Sequence, residues 1–160
     1  MVKRKLAFIM VAVLAVTALV GPSVVAQEAE EEAAMSSASE VNITLQEWAV
    51  LPDTLSVPAG SVTFNATNIG PMDPHELVVV KTDIPAAELP TREDGAFDEE
   101  AEGVEVIGEI EEFDVGLTES LTLELAPGSY VLLCNLVEEE DGAMEAHYQM
   151  GMWVEFEVTA

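Results

Sequence analysis

From residue 41 to residue 160 the sequence repeatedly alternates apolar and polar residues in short runs, such as VNITLQEWAV, SVTFNATNIG, SLTLEL and MWVEFEV. Successive side chains of a β-strand point to opposite faces, so this alternation is typical of strands with one buried face. Prolines and glycines separate the runs, and no segment keeps a helical period. We therefore predict an all-β domain, a β-sandwich of about seven to eight short strands.

Residues 83–103 interrupt the alternation with prolines, glycines and a cluster of acidic residues. Proline and glycine end regular structure, and clustered charges favour solvent. This stretch therefore predicts a long surface excursion between strands, with one helical turn.

The first 40 residues have a different composition from the domain. Basic Lys3, Arg4 and Lys5 precede the apolar residues 6–20, and small residues follow as far as Ala26. This order is typical of a secretory signal peptide, predicted over residues 1–26, with a retained membrane anchor as the alternative. The acidic residues 27–40 lack periodicity and predict a disordered linker, and the domain is predicted over residues 41–160. We expect a periplasmic or extracellular protein, or one tethered to the outer face of the cytoplasmic membrane.

The chain is strongly acidic, with a formal net charge of −26. Removal of the signal peptide leaves Lys81 and Arg92 to oppose 31 acidic residues. Such a negative field repels the phosphates of nucleic acids and anionic lipid, so we expect no nucleic-acid partner. We also expect no strong membrane binding unless the signal peptide is retained as an anchor. The negative field attracts proteins with basic surfaces. A salty habitat, in which ions screen self-repulsion, is the alternative explanation of this charge.

The domain contains one cysteine and two histidines, and they fall beside predicted strand ends. A lone cysteine in an exported chain cannot form an internal disulfide, so Cys134 is a free thiol, an intermolecular bridge or a metal ligand. One thiolate, two imidazoles and a weak thioether suit copper that cycles between Cu(I) and Cu(II). The candidate ligands of one copper ion are His75, Cys134, His147 and Met152.

Three segments, around NIGPMDPHELVVV, PGSYVLLCN and HYQMGMWVEFEV, resemble the cupredoxins, the family that includes plastocyanins, rusticyanins and sulfocyanins. The resemblance covers about residues 41–160 and implies a Greek-key β-sandwich with one type 1 copper site. His75, Cys134, His147 and Met152 match the family's ligand positions. The resemblance also implies that His147 lies on an exposed loop and forms the edge through which electrons enter.

One departure from the family concerns the ligand loop. Cupredoxins keep a few residues between the cysteine and the second histidine, whereas NLVEEEDGAMEA separates Cys134 from His147 here. The longer acidic loop could open the site to solvent, change the redox potential or present a surface to a partner. Met150 and Met144 are rival axial ligands, and Met152 is preferred because it keeps the family's spacing to His147 and precedes the last strand.

The resemblance implies an electron carrier rather than an enzyme. The carrier would act as a monomer, with redox partners such as a cytochrome. A copper chaperone or storage protein is the alternative, although Met144, Met150 and Met152 are few for a transfer motif. A domain that has lost its metal is a third possibility, which the complete ligand set disfavours.

Overall fold

The computed structural model describes residues 38–140 and 142–160. The first strand begins at Ser39, two residues before the predicted start of the domain. The predicted signal peptide, residues 1–26, and most of the predicted linker lie outside the described residues.

Two sheets make up the body of the domain, in the orders β2-β1-β4-β7 and β3-β11-β8-β5-β6. Strand β1 is parallel to β4, and β3 is parallel to β11, whereas the other pairs are antiparallel. A separate hairpin pairs β9 with β10. The strands are β1 (Ser39–Gln46), β2 (Ala49–Pro52), β3 (Ser56–Pro58), β4 (Gly60–Asn68), β5 (His75–Thr82), β6 (Val104–Phe113), β7 (Thr118–Leu125), β8 (Gly128–Leu133), β9 (Val137–Glu140), β10 (Ala143–Ala146) and β11 (Trp153–Thr159).

The predicted all-β sandwich is confirmed, and the strand count differs for a simple reason. The described residues form eleven strands, of which β2, β3, β9 and β10 have only three or four residues. The remaining longer strands account for the predicted sandwich. Strands this short are hard to recognise because alternation over three or four residues arises readily by chance.

The alternation positions the core between the sheets. Along β4, Val62, Phe64 and Ala66 are fully buried while the residues between them are partly exposed. The ring of Phe64 meets that of Phe156 on β11 edge to face, with centroids 5.9 Å apart. Aromatic contacts of this kind add to the apolar area that the two sheets bury against each other.

The five-stranded sheet is covered on its outer face as well. Val78 and Val80 of β5 point away from the interior and pack in a second apolar cluster with Leu89 and Phe97. The predicted surface excursion, residues 83–103, therefore also supplies buried residues. The sequence did not predict these buried residues, because the acidic residues of the segment indicate only which of its side chains face solvent.

Helical structure within the described residues is limited to two short turns. A 3-10 helix spans Ala86–Glu88, which confirms the helical turn predicted in the excursion, and α1 spans His147–Met150. No helix among the described residues is long and apolar enough to cross a membrane.

Candidate metal centre

Strand pairing brings the four predicted ligands to one end of the five-stranded sheet. His75 begins β5, and Cys134 follows the last residue of β8, its antiparallel neighbour. Met152 precedes β11, which lies on the other side of β8. The Cys134 amide donates to the Met152 carbonyl at 3.0 Å, so the pairing of β8 with β11 continues into the site.

Helical turn α1 brings His147 back beside Met152. The Met152 amide donates to the His147 carbonyl at 3.1 Å, and the Gly151 amide donates to the Tyr148 carbonyl, also at 3.1 Å. Gly151 has φ 104°, a left-handed conformation that costs glycine little and other residues more. The glycine in HYQMGM therefore allows the reversal that places both residues in the site.

Three donor atoms converge at this end of the sheet. Cys134 Sγ lies 3.3 Å from His147 Nδ1 and 4.0 Å from His75 Nδ1, and the two Nδ1 atoms are 3.4 Å apart. The point equidistant from all three lies about 2.1 Å from each, close to the roughly 2.0–2.3 Å at which histidine nitrogen and cysteine sulfur bind an ion such as zinc. The donor set therefore fits one metal ion.

Burial distinguishes the three candidate methionines. Met152 is fully buried in the interior core cluster that also contains Cys134. Met150 and Met144 are 45% and 58% exposed. Burial and the carbonyl contact with Cys134 favour Met152 over both rivals as the thioether beside the three donor atoms.

The ligand loop is a hairpin rather than an open loop. Most of the residues between Cys134 and His147 form β9 and β10, and the His147 amide donates to the Leu136 carbonyl at 2.9 Å just below them. Glu138 Oε2 on β9 lies 3.5 Å from His147 Nε2. The hairpin thus covers the second histidine.

The expectation that His147 lies exposed on the ligand loop is wrong. His147 and His75 are both 0% exposed. The ring of Trp48 meets the ring of His147 edge to face, with centroids 4.9 Å apart. Since the hairpin and an indole enclose it, the His147 ring presents no edge to solvent.

Burial sets the protonation of the site. It lowers the pKa of both imidazoles, and the proximity of His147 lowers that of His75 further, although Glu47 and Asp73 oppose these effects. Burial raises the pKa of the Cys134 thiol to about 12, against the effect of backbone N–H donors. The metal-free site therefore holds neutral imidazoles and a thiol at neutral pH, and a metal ion would displace the thiol proton.

One buried polar residue next to a proposed ligand, Asn135, was not singled out by the sequence. Asn135 follows Cys134, and its amide donates to Glu76 Oε1 at 2.9 Å. The Asn135 side chain accepts from the Phe97 amide at 2.6 Å and donates to the Phe97 carbonyl at 3.1 Å. The available signal was a polar residue directly after the apolar run YVLLC, a position where a buried side chain needs partners.

The excursion also reaches the second histidine. Tyr148 follows His147, and its hydroxyl donates to the Ala86 carbonyl at 2.7 Å. The Tyr148 ring lies 6.4 Å from the ring of Phe97. Residues 83–103 therefore contact the residues that follow Cys134 and His147, which restrains these two proposed ligands.

Asn68 and Glu47 hold the segment that leads into His75. Asn68, fully buried, donates to the Asp73 and Phe113 carbonyls at 3.0 and 3.2 Å and accepts from the Gly70 amide at 2.8 Å. Glu47 Oε1 accepts from the amides of Met72 and Asp73. These contacts fix the residues before β5 without relying on a metal ion.

The buried histidines predict that acid destabilises the metal-free protein. Their folded pKa values lie below the ordinary 6.5, so the unfolded chain binds more protons below that pH. Each histidine then removes up to about 1.4 kcal/mol of stability per pH unit as pH falls below 6.5. Glu76 acts oppositely, because burial raises its folded pKa to about 7 and its proton stabilises the native state between about 7 and 4.5.

Urea unfolding of metal-free protein between pH 7 and pH 5 checks this prediction against His147→Gln. We expect the variant's stability to depend less steeply on acid, by up to about 1.4 kcal/mol per pH unit. The comparison of slopes removes the general effect of the many surface carboxylates. Equal slopes would show that the buried imidazole does not govern the acid response.

Comparisons with known proteins agree with this architecture. No protein-family model matches the sequence, and no curated protein sequence matches it. Solved structures do match. Reduced auracyanin from the photosynthetic bacterium Roseiflexus castenholzii is 24% identical with a TM-score of 0.52, over 78% of this chain and 98% of that one.

Two further structures are similar. Auracyanin A, described as a "blue" copper protein from the green thermophilic photosynthetic bacterium Chloroflexus aurantiacus, is 22% identical with a TM-score of 0.51, over 77% of this chain and 100% of that one. Reduced rusticyanin is 18% identical with a TM-score of 0.52, over 78% of this chain and 81% of that one. The chain therefore has the cupredoxin fold, as the sequence resemblance implied.

Proposed function

We propose that this protein holds one copper ion in a type 1 site and carries single electrons outside the cytoplasm. His75 and His147 would supply two imidazole nitrogens to the ion, Cys134 would supply a thiolate sulfur, and Met152 would supply a weak thioether donor. The convergence of one sulfur and two Nδ1 atoms on a common point supports this proposal most directly. This donor set is the one that blue-copper sites use.

Copper in such a site supplies a one-electron couple between Cu(I) and Cu(II). The chain's own residues keep the donors in place and keep water out. All four proposed ligands are fully buried. The contacts of Asn68 and Asn135 fix the backbone on either side of the site, so the donors need to move little between oxidation states.

A carrier of electrons fits this site better than a carrier of copper ions. A protein that hands over an ion needs donors that a partner can reach, and here Cys134 and both imidazoles are closed to solvent. The proposed role is therefore that of a monomeric carrier without enzymatic activity. Its partners are redox proteins with basic surfaces, since they must meet a chain of net charge −26.

Export is part of the same proposal. The order of basic, apolar and small residues over residues 1–26 supports delivery out of the cytoplasm. Cleavage would release the domain into the periplasm or medium, and retention of the apolar segment would tether it to the outer face of the membrane.

The visible absorption spectrum of residues 27–160 after addition of Cu(II) tests the proposal. We expect an intense absorption band from the copper–thiolate bond, which disappears on reduction and returns on oxidation. Cys134→Ser should abolish it. A colourless protein that binds Cu(I) alone would favour a copper chaperone, and absence of copper binding would contradict the site.

Met152→Leu and Met150→Leu form a matched pair within the same experiment. Loss of a buried thioether donor should change the band and raise the redox potential, because the axial ligand tunes the stability of Cu(II). Loss of the half-exposed Met150 should change neither. The opposite pattern would assign the axial position to Met150.

A further inference from the structure

Both imidazoles of the site are closed to a docking partner. His75 and His147 are 0% exposed, and Glu138 on the β9–β10 hairpin lies with its Oε2 atom 3.5 Å from His147 Nε2. A partner therefore cannot touch either imidazole ring. Because electron transfer weakens steeply with distance, another group has to bridge the site and the surface.

Trp48 has the position that such a group requires. Its ring meets the ring of His147 edge to face, with centroids 4.9 Å apart and planes at 67°. Trp48 is partly exposed and lies in the turn between β1 and β2, while it also packs against the interior core. One indole thus connects a proposed ligand to solvent.

The turn that carries Trp48 is held against the segment before His75. Glu47 Oε1 accepts from the Met72 amide at 2.8 Å and from the Asp73 amide at 2.7 Å. The Met72 side chain is 75% exposed on this segment. The indole therefore lies on a restrained part of the surface, with an exposed apolar side chain on the adjoining segment.

Two carboxylates lie close to the His147 ring that Trp48 contacts. Asp73 and Glu138 each place an oxygen within 4.8 Å of a ring nitrogen of His147. Aromatic side chains are the common anchors at the centres of protein interfaces, and charges at the edge select the partner. The surface around Trp48 thus combines an aromatic group with negative charge.

We propose that Trp48 is the contact through which electrons leave and enter the site: a one-electron partner with a cationic surface docks on the indole and exchanges the electron across the Trp48–His147 ring contact. The inference rests on the proposed copper function. One electron leaves Cu(I), which becomes Cu(II), and the acceptor is reduced by one electron. No proton moves and no bond forms or breaks, so the indole is unchanged at the end.

Stopped-flow oxidation of the Cu(I) protein by a basic c-type cytochrome at low ionic strength tests the proposal. Trp48→Ala should slow the reaction by about tenfold or more, the effect of losing an aromatic anchor at an interface, and Trp48→Phe should keep most of the rate. Trp153→Leu is the matched control, since Trp153 has no ring contact with either histidine in the part of the chain that the structure describes. An unchanged rate for Trp48→Ala would overturn the proposal, and a faster one would identify Trp48 as a shield.

NMR of the metal-free protein provides a second readout that does not depend on copper. The chain has two tryptophans, so the two indole N–H signals report on two surfaces. Addition of oxidised cytochrome c should shift or broaden the Trp48 signal and leave that of Trp153 unchanged; the reverse would overturn the proposal. Absence of a visible copper band in the unaltered protein would instead contradict the proposed function, independently of where the cytochrome docks.

Discussion

Asn135→Ala is expected to lower the free energy of unfolding by about 3 kcal/mol, because it leaves buried backbone groups without partners. The Asn135 side chain pairs with both the amide and the carbonyl of Phe97, and it donates to Glu99 Oε1 at 2.8 Å. Both Asn135 and Phe97 are buried. The loss should also loosen the excursion from the strand end that carries Cys134.

Urea unfolding of the metal-free protein measures this effect. Asn65→Ala is a matched control, since Asn65 also makes side-chain hydrogen bonds, but at the exposed outer face of β4 with Glu40 and Ser120. Its loss should cost no more than about 1 kcal/mol. Similar costs for the two variants would show that the Asn135–Phe97 pairing does not stabilise the fold as we infer.

Copper binding is expected to stabilise the protein by a similar or larger amount. A ligand that binds only the folded state, at about 1,000 times its dissociation constant, adds about 4 kcal/mol to the free energy of unfolding. Cys134→Ser should lose most of this increment, because a serine hydroxyl does not supply the thiolate that the donor set requires. The four proposed ligands come together only in the folded chain.

Chemical unfolding with and without Cu(I), under reducing conditions that protect the thiol, gives the increment directly. Met150→Leu should keep it, since that half-exposed side chain lies outside the proposed donor set. If Cys134→Ser were stabilised by copper as much as the unaltered protein, the metal would have to bind elsewhere in the chain.

The sandwich and the proposed donor set were predictable from the sequence for local reasons. Alternation along segments such as SVTFNAT depends only on which face of a strand is buried. The single cysteine and the two histidines left few combinations of soft and nitrogen donors. Strand pairing then brings His75 and Cys134 together, because β5 and β8 are antiparallel neighbours.

Other features depend on contacts between distant segments, which alternation does not reveal. Phe97 lies in an acidic, proline-containing stretch, and only its contacts with Asn135 and Tyr148 show why it is buried. The burial of His147 likewise follows from its contact with Trp48, far away in the sequence, and from the glutamate-rich β9–β10 hairpin. The acidic residues of that segment predicted that it is exposed to solvent, but they did not predict that its two halves pair as β-strands.

Because of the β9–β10 hairpin, the length of the ligand loop does not determine the positions of Cys134 and His147. Val137 and Ala146 are partners in its ladder, so the chain leaves the strand end near Cys134 and returns beside the point of departure. Paired residues can be added to or removed from the far end of such a hairpin without changing where its base lies. We therefore expect that evolution or an engineer can lengthen or shorten the β9–β10 hairpin, or change its charge, while His147 keeps its position.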